Sequence, residues 1–126
     1  ALRQLYPGDE RGFNERKAIL TEGIRRLAQV PKVQIVLVPH VTGYNCSFDD
    51  YKFMTSLAAD IPEEVEVLPS GLGARKTKAF LGTCDLVIAA RMHCAIAAVS
   101  VGVPTIFLSY SIKQGTLRES LHWPAI

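Results

Sequence analysis

The chain lacks the features that mark several large classes of protein. Its 126 residues contain no run of about 18 consecutive apolar side chains, the length that a membrane-spanning helix needs. Fourteen basic and 12 acidic residues leave a formal net charge of +2. So small an excess provides no strong field for nucleic acid. We therefore predict neither a transmembrane segment nor a nucleic-acid partner.

Cysteine is also scarce. Cys46, Cys84 and Cys94 are odd in number and show no CxxC spacing, which argues for reduced thiols and a cytosolic setting. The absence of CxxC and HxxxH spacings also argues against a zinc site made from cysteine and histidine. The sequence therefore predicts a cytoplasmic protein without a bound metal or cofactor.

Apolar side chains are abundant, and their order indicates the fold. Hydrophobic residues make up 48% of the chain, which excludes a disordered protein. Short apolar segments alternate with segments of helical periodicity, a pattern typical of parallel βαβ units. We predict an α/β fold over residues 1–126: a single Rossmann-like domain with a doubly wound parallel sheet and helices on both faces.

The alternation places each element. The predicted strands are Val33–Val38, Val65–Leu68, Leu86–Ile88 and Thr105–Leu108. The predicted helices are Asn14–Gln29, Phe48–Ala59, Ala74–Gly82, one that contains His93, and one near Lys113–Leu121. Asn14 is expected to cap the first helix. The apolar stripe of that helix comprises Ile19, Leu20, Ile24, Leu27 and Ala28.

The most informative segment is the buried strand that leads into Arg91, Met92 and His93. A helix follows at once, and Gly102 and Pro104 are expected to close it. An arginine and a histidine should therefore lie where the carboxyl end of a strand meets a helix amino terminus. Open α/β sheets bind ligands at that edge, and helix amino termini attract anions. The sequence thus predicts a site for a carboxylate or a phosphate.

The three residues of this edge have different expected roles. The guanidinium fork of Arg91 matches a carboxylate or phosphate with two hydrogen bonds; the alternative is a surface cation that covers the sheet edge. His93 suits proton transfer, although a helix-capping or core histidine is the alternative. Met92 is expected to point into the core and to contribute to the site through its backbone.

A second strand end provides further candidates. His40 follows Pro39 at another strand–helix edge that would face a ligand cleft, and the alternative is a loop histidine that bonds its own turn. Asp49 and Asp50 are expected to cap the next helix.

Two other segments carry polar groups. Ser109, Tyr110 and Lys113 follow the last strand and could meet an anionic ligand, although Lys113 could equally be a solvated residue of a first helical turn. The segment Ser70–Lys78 lacks the GxxxxGK[ST] spacing of a phosphate loop, so its lysines are predicted to lie on an exposed helix.

The run from Cys84 to Lys113 resembles the polysaccharide pyruvyl transferase family. Members of that family carry a Cys-Asp-apolar-apolar-Arg-x-His-Ala-like stretch, then a Gly-Val-Pro turn, a strand and a Ser-Tyr-x-x-Lys-like segment. Upstream, Val36–His40 followed by Asp49 and Asp50 is similar to the family's earlier strand-Pro-His element. The resemblance covers roughly residues 33–115.

The resemblance implies a transferase of exopolysaccharide biosynthesis. It would move a pyruvyl group from phosphoenolpyruvate onto a sugar of a cell-surface polysaccharide or its lipid-linked precursor and form a ketal. The family's enzymes resemble two-domain glycosyltransferases of the B type. The chain is therefore expected to be the carboxy-terminal half, inactive without a missing amino-terminal domain. A lipid-linked acceptor would bring it to the inner face of the membrane.

Phosphoenolpyruvate suits the Arg-x-His edge chemically, because this enol phosphate needs cations and amide donors. Arg91 would hold its phosphate or carboxylate, and His93 would deliver or remove a proton. The further substrate-binding candidates are Met92, His40, Ser109, Tyr110 and Lys113. One alternative is the sugar-nucleotide-binding half of a B-type glycosyltransferase or epimerase, with uridine diphosphate at the same edge. Another is a non-catalytic Rossmann-like module.

Overall fold

The computed structural model describes residues 10–43 and 49–108. In chain order, the elements of these residues are α1 (Glu10–Ala28), β1 (Ile35–Leu37), α2 (Asp50–Ala59), β2 (Val65–Val67), α3 (Gly73–Leu81), β3 (Val87–Ala89), α4 (Met92–Val99) and β4 (Thr105–Phe107). The described chain is thus an α/β protein with four helices and short parallel strands in two small sheets. It divides into two compact units, Ala1–Leu72 and Gly73–Ile126.

The first unit contains a βαβ arrangement preceded by a helix. β1 and β2 pair in parallel, with Ile35 opposite Val65, and Leu68 N–H extends the ladder to the carbonyl of Leu37 at 2.9 Å. α2 connects these strands and contacts β2, while α1 contacts both β1 and α2. Leu57 and Ile61 are buried in this part of the described chain, as is Pro39 after β1.

α1 differs from its prediction at its start and along its apolar stripe. It begins at Glu10, so Asn14 lies inside the helix and the prediction that it caps the helix is wrong. Glu10 in the first turn and Arg25 and Arg26 in the last turn complement the helix dipole. These charges stabilise a helix that begins before Asn14. Ile19 is 72% exposed, so the stripe is not a buried face.

α1 is attached to α2 partly through polar and aromatic contacts. Lys17 Nζ donates to Ser56 Oγ at 2.9 Å and to Asp60 Oδ2 at 2.8 Å. The Phe13 and Phe53 rings lie 6.0 Å apart between centroids, tilted by 60°, a distance at which aromatic pairs attract. The helix is therefore held although each of its residues is at least partly exposed.

The second unit is also built on a parallel strand pair. Val87 lies opposite Thr105 and Ala89 opposite Phe107. The ladder continues at both ends, through Val87 N–H to the carbonyl of Pro104 at 2.9 Å and Leu108 N–H to that of Ala89 at 2.8 Å. α4 connects the strands and contacts both of them, and α3 packs on α4. The buried apolar residues here are Leu81, Val87, Ala89, Cys94, Ala95, Ala98 and Val103.

α4 closes as the sequence predicts. Gly102 has φ +80, a conformation that glycine adopts without strain. Val103 N–H donates to the carbonyl of Ala98 at 3.1 Å, and Pro104 then leads into β4. This reversal brings the chain back parallel to β3.

The predicted strands are each found, shifted or shortened by one or two residues at a boundary. Parallel pairing of the last two strands is confirmed. The described residues form two two-stranded sheets, so the doubly wound sheet that joins all the strands stays a prediction. Phe48 and the predicted helix near Lys113–Leu121 lie outside the described residues. Within the described part, no helix is long and apolar enough to cross a membrane.

Candidate functional site

The strand–helix edge of the second unit is formed as predicted. β3 ends at Ala89, and Arg91 is the N-cap of α4, with φ −109 and ψ 129. Its carbonyl accepts the first helical hydrogen bond, from Ala95 N–H at 3.1 Å. Arg91, Met92 and His93 therefore occupy the turn at the carboxyl end of β3 and the first turn of α4.

The side chains of this edge differ in exposure. Arg91 and Met92 are half-buried, and His93 is exposed. His93 is therefore not a core histidine, and it does not cap α4 either, because Arg91 holds the N-cap position. An exposed imidazole at a helix amino terminus is accessible to a ligand and to solvent protons.

The amino terminus of α4 is the chemically distinctive part of this edge. Among the described residues, Arg91 makes no side-chain hydrogen bond that caps α4, and no acidic residue lies in the first turn. At α2, by contrast, Asp49 Oδ1 accepts from Tyr51 N–H at 2.9 Å and Lys52 N–H at 3.1 Å. The first-turn N–H groups of a helix need an acceptor, so the α4 terminus suits an anion.

His40 lies at the corresponding edge of the first unit. It is half-buried after the buried Pro39, at the carboxyl end of β1. Its Nδ1 is 3.4 Å from the carbonyl of Val38, a long contact that is typical of a histidine bonding its own turn. A carbonyl oxygen only accepts hydrogen bonds, so a hydrogen bond at this contact requires the tautomer with the proton on Nδ1.

Asp49 and Asp50 perform different tasks. Asp49 caps α2, as predicted, and backbone N–H donors, with Lys52 the strongest, hold the pKa of its carboxyl below the usual range. Asp50 is only 8% exposed, and its Oδ2 accepts from the backbone N–H of Val41 at 2.9 Å and of His40 at 3.2 Å. The prediction that both residues cap the helix is therefore wrong for Asp50.

No local sequence pattern indicates the role of Asp50. A carboxylate at the first helical position usually interacts with the helix dipole at the surface. Its burial depends on the loop after β1 folding back onto α2, which is a tertiary contact. The one available hint is the pair of adjacent carboxylates, of which a helix needs only one as its cap.

The thiols of the second unit are protonated at neutral pH. Cys84 is half-buried, and burial, followed by the charge of Asp85, raises its pKa. Cys94 is 7% exposed, and burial, with a further contribution from Cys84, raises its pKa to about 11. A thiolate is the form that attacks or binds metals, so neither thiol is a chemical group of this edge. Within residues 10–43 and 49–108, no three acidic, cysteine or histidine side chains could hold a metal.

Of the two other polar segments, Ser70–Lys78 lies within the described residues. Arg75, Lys76 and Lys78 are exposed on α3, which confirms the prediction that the lysines of this segment lie on an exposed helix. Ser109, Tyr110 and Lys113 lie outside the described residues.

An open groove of about 390 Å³ runs along α1. Its charges pair with one another, as the Arg25 and Arg26 contacts that hold the pKa of Glu22 at about 2 illustrate.

The described residues form an α/β protein in which an arginine and a histidine lie at the junction of a strand and a helix. A sequence model of the polysaccharide pyruvyl transferase family matches residues 5–112. The match includes both strand ends, with His40 and with Arg91 to His93. The chain belongs to the polysaccharide pyruvyl transferase family, which is a family of transferases. No curated protein and no solved structure matches the chain.

Proposed function

We propose that the protein transfers a pyruvyl group from phosphoenolpyruvate onto a sugar of a cell-surface polysaccharide or its lipid-linked precursor. The observation that carries this proposal is the amino terminus of α4, which has an arginine as N-cap and no side-chain cap among the described residues. In a chain of this family, that terminus is where an anionic donor fits best. The corresponding terminus of α2 already has its own carboxylate, Asp49.

The two anionic groups of phosphoenolpyruvate have separate partners in this proposal. Arg91 binds the phosphate or the carboxylate through its planar fork. The first-turn N–H groups of α4, starting with that of Met92, receive the other group. His40, Ser109, Tyr110 and Lys113 are further substrate-binding residues, assigned from the family resemblance.

His93 is the proposed acid or base. Ketal formation adds a proton to the methylene carbon of phosphoenolpyruvate, which becomes the methyl group. One sugar hydroxyl then bonds to the central carbon, inorganic phosphate leaves as its C–O bond breaks, and a second hydroxyl forms the second C–O bond. The two hydroxyls release two protons. The first replaces the proton that the methylene carbon takes up, and the second leaves on inorganic phosphate. The exposed His93 imidazole can exchange protons with the donor at this edge.

We also propose that the strands form one Rossmann-like, doubly wound sheet in a single domain, the carboxy-terminal half of a two-domain enzyme. The exposure pattern of β3 supports this. Val87 and Ala89 are buried on one face, whereas Leu86 and Ile88, on the other face, are 51% and 48% exposed. Strands of doubly wound sheets are apolar on both faces because helices cover both. A cytoplasmic location, at the inner membrane face for a lipid-linked acceptor, belongs to the same proposal.

Ligand titration followed by amide NMR tests the donor. Phosphoenolpyruvate should shift the signals of Arg91, Met92 and His93, and uridine diphosphate should not. Arg91→Ala should abolish the response, while Arg75→Ala, at an exposed arginine of α3, should preserve it. A response to uridine diphosphate alone would favour the sugar-nucleotide alternative, and a response to neither ligand would contradict the proposed site.

Turnover is a separate measurement. Because the proposal makes this chain one half of a two-domain enzyme, we expect the 126-residue chain by itself to release no phosphate from phosphoenolpyruvate in the presence of sugars. Pyruvyl transfer by this chain alone would contradict the two-domain arrangement.

A further inference from the structure

We propose that Asp50 is a positioning residue for His40: its buried carboxylate fixes the turn after β1, from which the imidazole projects. The inference rests on the proposed function, in which His40 binds substrate. It adds a residue that does not touch the reactants but determines where another residue meets them.

The burial of Asp50 is the first observation. It is the one charged side chain that is buried among the described residues, at the first position of α2. An acidic residue would stabilise the helix equally well at the surface, and burying a carboxylate is unfavourable unless hydrogen bonds compensate. The compensation observed here comes from the turn that carries His40.

The hydrogen bonds of Asp50 are the second observation. Oδ2 accepts from the N–H groups of His40 at 3.2 Å and Val41 at 2.9 Å. The backbone N–H of Asp50 donates in the other direction, to the carbonyl of Val41 at 2.7 Å. Three hydrogen bonds therefore join one residue of α2 to two consecutive residues of the turn, which restrains both position and orientation.

The neighbouring carboxylate supplies the comparison. Asp49 Oδ1 caps α2 through Tyr51 and Lys52, and its Oδ2 contacts Gly43 N–H at 3.3 Å. Asp50 is thus not needed as the cap, and its carboxylate bonds the strand-end turn instead. Asp50 holds the backbone of His40, and the Nδ1 of the ring lies 3.4 Å from the carbonyl of Val38. We infer that the restrained backbone keeps the ring near this carbonyl, a contact that favours the tautomer with the proton on Nδ1.

NMR of the chain tests the positioning directly. Asp50→Ala should speed amide hydrogen exchange at His40 and Val41 by tenfold or more, and the imidazole ¹⁵N shifts of His40 should move to the tautomer mixture of free histidine. Asp50→Asn, which keeps an oxygen acceptor without the charge, should show a smaller change and serves as the test if Asp50→Ala does not fold. The matched control, Asp49→Ala, should speed exchange at Tyr51 and Lys52 while the imidazole shifts of His40 stay unchanged. Unchanged imidazole shifts in both Asp50 variants would overturn the inference.

A double-mutant cycle tests the link to substrate. With phosphoenolpyruvate as the probe, Asp50→Ala should weaken binding about tenfold in the wild-type chain and less than twofold in a His40→Ala background. Equal losses in both backgrounds, or no loss on His40→Ala, would refute positioning through His40. Binding that still depends on Arg91 would then leave the proposed function intact. A chain that binds no phosphoenolpyruvate but shows the His40 shifts would instead contradict the proposed function alone.

Discussion

Arg91 and Asp49 occupy the same position, the N-cap of a helix that follows a parallel strand, with opposite chemistry. The carboxylate of Asp49 accepts two hydrogen bonds from backbone N–H groups in the first turn of its helix. Arg91 places a cation beside the positive end of a helix dipole and makes no capping bond within the described residues. A cation there costs about 0.3–1 kcal/mol. Proteins depart from local rules of this kind mainly at functional sites.

The division of labour between Arg91 and His93 gives the first prediction. In the active enzyme, Arg91→Ala should weaken phosphoenolpyruvate binding, and Arg91→Lys should restore it only partly because the planar fork is lost. His93→Gln should leave binding near normal and lower turnover by roughly 10²–10⁴-fold, the usual contribution of a positioned acid or base. Steady-state kinetics measure both quantities. Lost binding with intact turnover at saturation in His93→Gln would make His93 an anion ligand.

The buried Cys94 thiol gives a prediction on pH. Its pKa is about 11 in the folded chain, against 9.0 for an exposed thiol. Between these values the unfolded chain releases a proton that the folded chain keeps, so stability should fall as the pH rises from about 9 to about 11. Urea denaturation across this range measures the slope. Cys94→Ala should make the slope shallower, and an identical slope in that variant would assign the loss to other groups.

The element that recurs in this chain is a strand, a polar turn, a helix and a parallel strand. It occurs once around α2 and once around α4. The turns are closed differently, by Asp50 in one case and by the Arg91 N-cap in the other. The turn at Gly102, where α4 ends, is as necessary to the fold as the N-cap turn, because it reverses the chain so that β4 pairs with β3.

Substitution of two glycines distinguishes conformational from steric effects. Gly102 has φ +80 and Gly23 lies inside α1, and a Cβ at either position would meet nothing within 4 Å. Gly102→Ala should therefore destabilise by about 1–2 kcal/mol through backbone strain alone. Gly23→Ala should stabilise by about 0.5–1 kcal/mol. Thermal unfolding of the two variants should show opposite shifts in Tm, and a stable Gly102→Ala would contradict the strain argument.

The sequence predicts the parts of this fold that depend on neighbouring residues. The buried strand before Arg91, the turn at Gly102 and the cap at Asp49 each rest on a local pattern, and all three are found. The buried Asp50 could not be predicted, because its partners belong to a turn brought close only by folding. The predicted start of α1 is wrong because Asn14 is a suitable cap residue by its type, but the helix already includes the residues from Glu10 onwards.

At the scale of the whole molecule, a substitution on the exposed face of β3 tests the proposal that all the strands form one doubly wound sheet. In that sheet Ile88 is covered, so Ile88→Ala should cost about 2 kcal/mol or more. If the half-exposed Ile88 of the two-stranded sheet has no further cover, the cost should stay below about 1 kcal/mol. Ile19→Ala, at a site 72% exposed, is the control and should change stability by no more than about 0.5 kcal/mol. Chemical denaturation measures the change in stability of both variants.

The two strand pairs also differ in the length of chain between them, and this bears on how the protein acquires its structure. β3 and β4 are separated by residues 90–104, whereas residues 38–64 lie between β1 and β2. A shorter loop costs less entropy to close, and contacts between residues close in sequence form faster. The Arg91 edge should therefore assemble early, on a nucleus formed by α4 and its two strands, before the longer crossover that carries His40 is closed.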